Sequence, residues 1–293
     1  MNLSQLEVLV AIVDTGSLTE AGERIGLTQS AVSYALSKLE AELGVTLLER
    51  GRQGIVITRI GEDVLAHARD VLSHIEVIRQ KAARERGLAI GKLRFGCVPN
   101  VAPRLITGII RDFQRQYPDI EFALFEGNPQ ELLNWLATGV INVGTVLSPE
   151  GYAMTLPLAE DELYVLVSEL HPLAQQNHVT LNALMDQMLI GPKATYHLVS
   201  QLHQMQGVVL PYLRYEVSTY GTIHAMVREN MGIAITPGRL MGMQTEGIVA
   251  LPLRPQLTVR IHLAANLVSP AVEAFINSAN VWAKMHSFLP DNA

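Results

Sequence analysis

Cysteine is almost missing from this 293-residue chain: Cys97 stands alone. That excludes an intrachain disulfide, a cysteine-ligated metal cluster and a two-cysteine redox relay. With no clear activating neighbour, Cys97 reads as a buried strand thiol, a sensor or nucleophile being the alternative. Long apolar runs are also missing, since no stretch approaches the ~18 residues that a membrane-crossing helix needs. Met-Asn-Leu-Ser-Gln opens directly into an amphipathic helix rather than a basic leader, so a soluble, cytoplasmic protein without a membrane partner is expected. Signatures of catalysis are lacking too. No nucleophile elbow, Walker A loop, GxGxxG or metal-spaced histidine pair occurs, and the nine histidines are scattered. The expectation is no enzyme, no cofactor and no metal; the rival is an enzyme in the C-terminal part, with His171, His178, His197, His203 and His224 brought together in space. His67 and His74 read as solvated helix positions.

What the chain does have is 48% apolar residues, enough for two or three compact domains. The net charge of −6 argues against a nucleic-acid binder only on average. Residues 1–49 carry 2 basic and 7 acidic side chains, 50–115 carry 13 and 6, and 116–293 carry 7 and 15. The basic middle, beginning at Arg50, is suited to phosphates.

Leu3, Leu6, Val10 and Val13 recur at helical spacing until Asp14-Thr-Gly16 ends the first helix. Ser17 and Glu20 have capping-box spacing for a second helix, which Gly26 stops. Thr28 caps a third, with Val32, Leu36, Leu39 and Leu43 as its buried stripe beside Ala31 and Ala35, and Gly44 as its stop. Its other side carries Gln29, Ser30, Ser33, Tyr34, Ser37 and Lys38, which with Thr28 at its start are the candidate DNA-binding residues. Short polar groups permit close approach to a major groove, Gln pairs with adenine and Lys reaches guanine or phosphate; an ordinary solvated face has the same composition. Two short apolar segments around Arg50-Gly-Arg52-Gln-Gly54 follow and read as a β-hairpin wing, with Arg50 and Arg52 set against a duplex.

From Arg59 to about Gly87, Val64, Ala68, Val71, Ile75, Ile78 and Ala82 step by 4, 3, 4, 3 and 4. A helix of that length spans roughly 40 Å, which suggests a seam for a second chain, the alternative being packing on its own domain. Arg79, Lys81, Arg84 and Arg86 suit its C-terminal dipole. Beyond Gly91 the pattern is α/β. Strands at Leu93–Cys97, Ile120–Phe125 and Ile141–Leu147 alternate with helices marked by Ile106–Phe113 and Leu132–Leu136. A second series places strands at Leu163–Val167, Met188–Ile190, Tyr212–Val217 and Ile233–Thr236, with helices around Tyr196–Met205 and Tyr220–Glu229. Two such lobes enclose a cleft.

Gly16-Ser-Leu-Thr-Glu-Ala, Gln29-Ser-Ala-Val-Ser33, Leu39-Glu-Ala-Glu-Leu-Gly44, Leu47-Leu-Glu-Arg50 and Thr58-Arg-Ile-Gly61, followed by Phe125-Glu-Gly127, His171-Pro-Leu-Ala174 and Met231-Gly-Ile-Ala-Ile-Thr-Pro237, resemble the LysR-type transcriptional regulators over the whole length. Gly22 replaces a usual alanine and Asn142 a usual aspartate. The resemblance implies a winged helix-turn-helix over 1–58, a dimerising linker helix over 59–89, and an effector domain over 90–293. That domain has two Rossmann-like lobes, 91–160 plus 266–293 and 161–265, and resembles periplasmic binding proteins. It further implies double-stranded promoter DNA read as an interrupted palindrome by a homodimer or homotetramer, with RNA polymerase as a possible contact. A small-molecule co-inducer would sit between the lobes. The matching cleft positions are Val98, Pro99, Asn100 and Val101; Gly127 and Asn128, whose turn with Pro129 would offer amides to an anion; Lys193, Ala194 and Thr195; and Ser218 to Thr222.

Overall fold

The computed structural model describes residues 1–51, 54–87, 89–99, 103–192, 213–217, 219–238, 246–286 and 288. Three helices, α1 (Leu3–Thr15), α2 (Leu18–Ile25) and α3 (Gln29–Leu43), are separated where Gly16 and Gly26 adopt left-handed conformations, and Gly44 ends α3 in the same way. Leu6, Leu9, Ile12, Ala21, Val32 and Leu39 form their common core. Leu36 packs against it, but Leu43 is 38% exposed because the last turn of α3 runs past the core. Only half of the expected capping box at α2 forms. Ser17 Oγ accepts from the Glu20 amide at 3.4 Å, whereas the Ser17 amide donates to Thr15 Oγ1 rather than to Glu20. Gly22 also gains a reason: a Cβ there would lie 2.6 Å from the Leu27 carbonyl oxygen, so its absence lets the turn into α3 fold back tightly.

The antiparallel hairpin of β1 (Leu48–Gly51) and β2 (Gly54–Ile57) leads into the 27-residue α4 (Arg59–Glu85). Thr58 holds the junction, its Oγ1 accepting from the Gly61 amide at 3.0 Å and donating to the Thr46 carbonyl at 2.9 Å. A Cβ on Gly61 would stand 2.2 Å from the Leu47 carbonyl oxygen. Gly61→Ala is therefore expected to destabilise the N-terminal domain by about 1–3 kcal/mol despite alanine's better helix propensity, which thermal melts of the variant check.

In the C-terminal part, β3 (Gly91–Cys97), α5 (Pro103–Gln116), β4 (Ile120–Glu126), α6 (Pro129–Ala137) and β5 (Val143–Val146) form the expected βαβαβ unit, with β3 parallel to both β4 and β5. The strand expected at Leu163–Val167 is the last third of a longer one, β6 (Met154–Ser168). After β7 (Val179–Thr180), β8 (Leu189–Gly191), β9 (Leu213–Glu216), α7 (Tyr220–Arg228) and β10 (Ala234–Pro237) come three elements absent from the expectation: β11 (Ile248–Arg254), β12 (Thr258–Ala265) and α8 (Pro270–Met285). The helix expected around Tyr196–Met205 lies outside the described residues.

One sheet runs β4-β3-β5-β12-β6-β11-β7, with β10 also on β6, so the two lobes share strands instead of closing separately. β6 gives Leu158 and Ala159 to the first core and Leu163, Val165 and Val167 to the second. β12 gives Val259 to the second and Ile261, Leu263 and Ala265 to the first, so the chain re-enters the first core several residues before the expected 266.

Candidate nucleic-acid interface and ligand cleft

The fold turns α3 so that Val32 and Leu39 are fully buried while Gln29, Ser30, Tyr34, Ser37 and Lys38 are exposed and Ser33 is half-buried. At 3.6 residues per turn these polar positions share one side of the helix. Thr28 is spent on capping, accepting from the Ala31 amide at 3.2 Å and bonding Ser30 Oγ at 3.0 Å, so the first turn is fixed by its own side chains. Tyr34 is 64% exposed, and the Lys38 ammonium sits 5.4 Å from its ring centroid, a cation–π contact that holds the charge at the surface. Beside this face runs the hairpin, Arg50 on β1 opposite Ile55 of β2; Arg52 lies outside the described residues. Glu40 on α3 accepts the Leu47 and Leu48 amides at 2.7 and 3.2 Å, fixing the hairpin to the helix.

The seam of α4 divides. Ala68 is buried in the N-terminal core, where Val64 also packs, so these two positions are used within the chain and not on its free face. Val71 and Ile78 are 42% and 63% exposed, Ala82 is exposed and Ile75 half-buried. Another side of the helix, Val77, Gln80 and Ala83, is buried. There Gln80 Oε1 accepts the Ala271 amide and Arg84 pairs with Glu273 at 2.9 Å, tying α4 to α8.

Of the expected cleft positions, Val98 is half-buried and Pro99 exposed at the end of β3. Asn100, Val101, Lys193, Ala194, Thr195 and Ser218 lie outside the described residues. Thr222 is exposed on the first turn of α7, its Oγ1 2.9 Å from that of Thr219. The turn at Gly127 and Asn128 corrects the expectation of anion-binding amides. Gly127 N–H donates to the Cys97 carbonyl at 3.2 Å, Asn128 N–H donates to Glu131 Oε2 at 2.7 Å, and Pro129 has none. The two amides on which the expectation rested are thus both taken, and the carboxylate of Glu131 lies against the Asn128 amide.

Burial, aided by Glu126, pushes the Cys97 thiol up to about 12, as the strand-thiol reading expects. Of the histidines the rival reading would gather, His197 and His203 lie outside the described residues; His171 Nδ1 caps a short turn by accepting from the Leu173 amide, and among the described residues no group of His, Cys, Asp or Glu is placed to hold a metal. Among the described residues no helix is long and apolar enough to cross a membrane.

Four buried polar residues that sequence reasoning missed lie where the strands of the two lobes meet or end: Thr145, Asp161, Thr236 and His262. Tyr220 opens α7; burial pushes its hydroxyl up to about 12, and Thr236 hydrogen-bonds to it. The available signal was a polar residue interrupting an apolar strand, as His262 does between Ile261 and Leu263.

Comparison with known proteins matches residues 3–62 to the bacterial regulatory helix-turn-helix protein, lysR family, and residues 86–282 to the LysR substrate binding domain. A curated relative, the uncharacterized HTH-type transcriptional regulator YvbU of Bacillus subtilis, is 34% identical over 287 residues, covering 95% of this chain and 98% of the relative. The DNA-binding transcriptional dual regulator OxyR of Escherichia coli is 27% identical, covering 92% and 91%. Among solved structures, a full-length OxyR variant from Pseudomonas aeruginosa superposes with a TM-score of 0.76 at 23% identity, covering 96% and 98%. Full-length CbnR in complex with its target DNA gives 0.63 at 20%, covering 96% and 100%.

Proposed function

The chain belongs to the LysR family of bacterial transcriptional regulators, and from that premise we propose which of its residues read DNA, join subunits and face an effector. It is a DNA-binding regulator, not an enzyme, with an effector-binding domain. In our reading the exposed side of α3 enters the major groove. Gln29, Ser30, Ser33 and Tyr34 face base edges, Lys38 faces guanine or phosphate, and Arg50 and Arg52 meet the backbone from the wing. The α4 seam joins two chains, dimers pair into tetramers, and the protein works in the cytoplasm on an interrupted palindrome, in contact with RNA polymerase. A small organic effector occupies the cleft where β6 and β12 pass between the cores.

The observation that carries this reading is α3 itself, with apolar Val32 and Leu39 buried on one side and a contiguous polar face, flanked by the hairpin, open on the other. Several relatives are named hydrogen peroxide-inducible genes activators. Thiol chemistry is not carried over here, because this chain has one cysteine, buried and with a strongly raised pKa.

Selection of bound fragments from a random duplex pool tests the DNA reading. The expected result is two related half-sites about one helical turn or a multiple apart. Gln29→Ala should relax preference at one base pair per half-site by about 1–3 kcal/mol, while Lys38→Ala should weaken all sequences together and flatten the salt dependence. A pool that yields no consensus overturns it.

A further inference from the structure

The three parallel strands of the first lobe end together at Cys97, Glu126 and Val146. α5 packs on one face of them, with Leu105, Ile106, Ile109 and Phe113 in the core that holds Phe95. α6 packs on the other, since the bare face of Gly96 meets Leu132. The chain thus winds from central β3 outward to β4 by one face and back to β5 by the other. In open α/β sheets the crevice at the carboxyl ends of the strands where winding reverses is where ligands bind, here between the ends of β3 and β5.

β12 runs antiparallel along β5, and its His262 stands directly opposite Val146, the last residue of β5. Residues directly opposite in such a pair share a face, and Val146 belongs to the α6-side cluster with Leu132, Leu136 and Ala264. His262 therefore flanks the crevice on its α6 side. It is only 8% exposed, yet its Nδ1 is buried with no hydrogen-bond partner among the described residues. A buried polar atom without a partner is unfavourable and demands an explanation.

The chemistry of this corner narrows what would satisfy that atom. Desolvation, then the nearby Arg260 guanidinium, lowers the pKa of His262, so the imidazole is neutral at neutral pH. Arg260 itself is paired with Glu160. The amides of Gly127 and Asn128 are consumed, and the carboxylates of Glu126 and Glu131 border the same edge. An anionic group meets these carboxylates and finds the Gly127 and Asn128 amides taken; an uncharged hydroxyl, amide or carbonyl is not penalised by the carboxylates.

We propose that His262 is a specificity-determining residue of the effector cleft, hydrogen-bonding an uncharged polar group of the effector through Nδ1. This rests on the effector reading above. The test uses the full chain, His262→Phe and His262→Gln, with thermal shift against a panel of polyols, sugars, primary amides, carboxylates and phosphates. Without ligand, His262→Phe should melt within about 2 °C of wild type, because no protein partner is lost; a larger fall means a structural role and overturns the proposal. With ligand, at least one uncharged compound should stabilise wild type, lose its shift at least tenfold in half-saturating concentration in His262→Phe, and recover part of it in His262→Gln. An undiminished shift in His262→Phe, or stabilisation of wild type by anions alone, overturns the proposal and leaves the effector reading standing. No shift from any compound counts against that reading and against the proposal with it.

Discussion

Val71→Glu combined with Ile78→Glu is expected to leave a folded monomer that binds operator DNA on the order of 100-fold or more weakly. Both side chains are substantially exposed in the single chain, at 42% and 63%, so charging them should cost the isolated fold no more than about 0.5 kcal/mol each. In a paired seam the same carboxylates are buried beside their symmetry mates, where desolvation and like charge both oppose association. Losing the dimer uncouples two half-sites, and linkage of two sites is worth about 10²–10⁴ in apparent affinity. Mass by light scattering, circular dichroism and gel shift on one preparation check the three parts. A variant that remains dimeric places the interface elsewhere. Ala68→Glu serves as the contrast: at 2% exposure inside the N-terminal core it should unfold that domain rather than dissociate it.

That contrast shows how far a repeat in sequence can be read. The period of α4 is real, yet three environments compete for it: the N-terminal core takes Leu65 and Ala68, α8 and its surroundings take Gln80 and Ala83, and only Val71, Ile78 and Ala82 stay open. Spacing identifies a stripe but not its owner. The N-terminal helices were legible almost to the residue because their ends are written locally, by Gly16, Gly26 and Gly44 in left-handed conformations and by Ser17 and Thr28 as caps. β6 was legible only in its last third. Its middle, Glu160-Asp161-Glu162, looks like a loop, and it is the place where a continuous strand leaves one core for another and alternation breaks. α8 carries ordinary signals, Ser269 before Pro270 and a stripe of Val272, Phe275, Ile276, Ala279 and Trp282, beyond the point where the expected series ends.

The two halves of the candidate site differ for the same reason. An exposed polar face is a property of one helix, so the placement of Gln29 to Lys38 follows from period and polarity. A cleft is assembled from segments far apart in sequence, and turn composition alone did not foretell that Glu131 would occupy the Asn128 amide and the Cys97 carbonyl the Gly127 amide. His262 and Val146 are brought side by side only by the pairing of β12 with β5, which no local pattern encodes.

Asp14→Ala is the second large effect expected, because one carboxylate serves three elements. Its Oδ1 lies 2.6 Å from Arg69 of α4 and its Oδ2 3.2 Å from Arg24 of α2. It is also the strongest favourable charge on Arg94 of β3, whose pKa burial pulls down, with Arg69 and Arg24 adding to the fall. Arg94 donates to the Gly139 carbonyl at 3.0 Å, but its Nε is buried without a partner among the described residues. Removing Asp14 leaves three guanidinium groups together, two of them poorly hydrated. Asp14 is about a quarter exposed, which places the cost between a surface pair and a fully buried one, about 2 kcal/mol. Because the lesion lies where α1 and α4 approach the effector domain, faster proteolysis around α4 should accompany the lower melting temperature. A double-mutant cycle with Arg94→Met isolates the coupling: with the buried charge gone, Asp14→Ala should cost at least about 0.5 kcal/mol less. Strict additivity would confine Asp14 to the N-terminal domain and remove it as a link between the DNA-binding helices and the ligand-binding sheet.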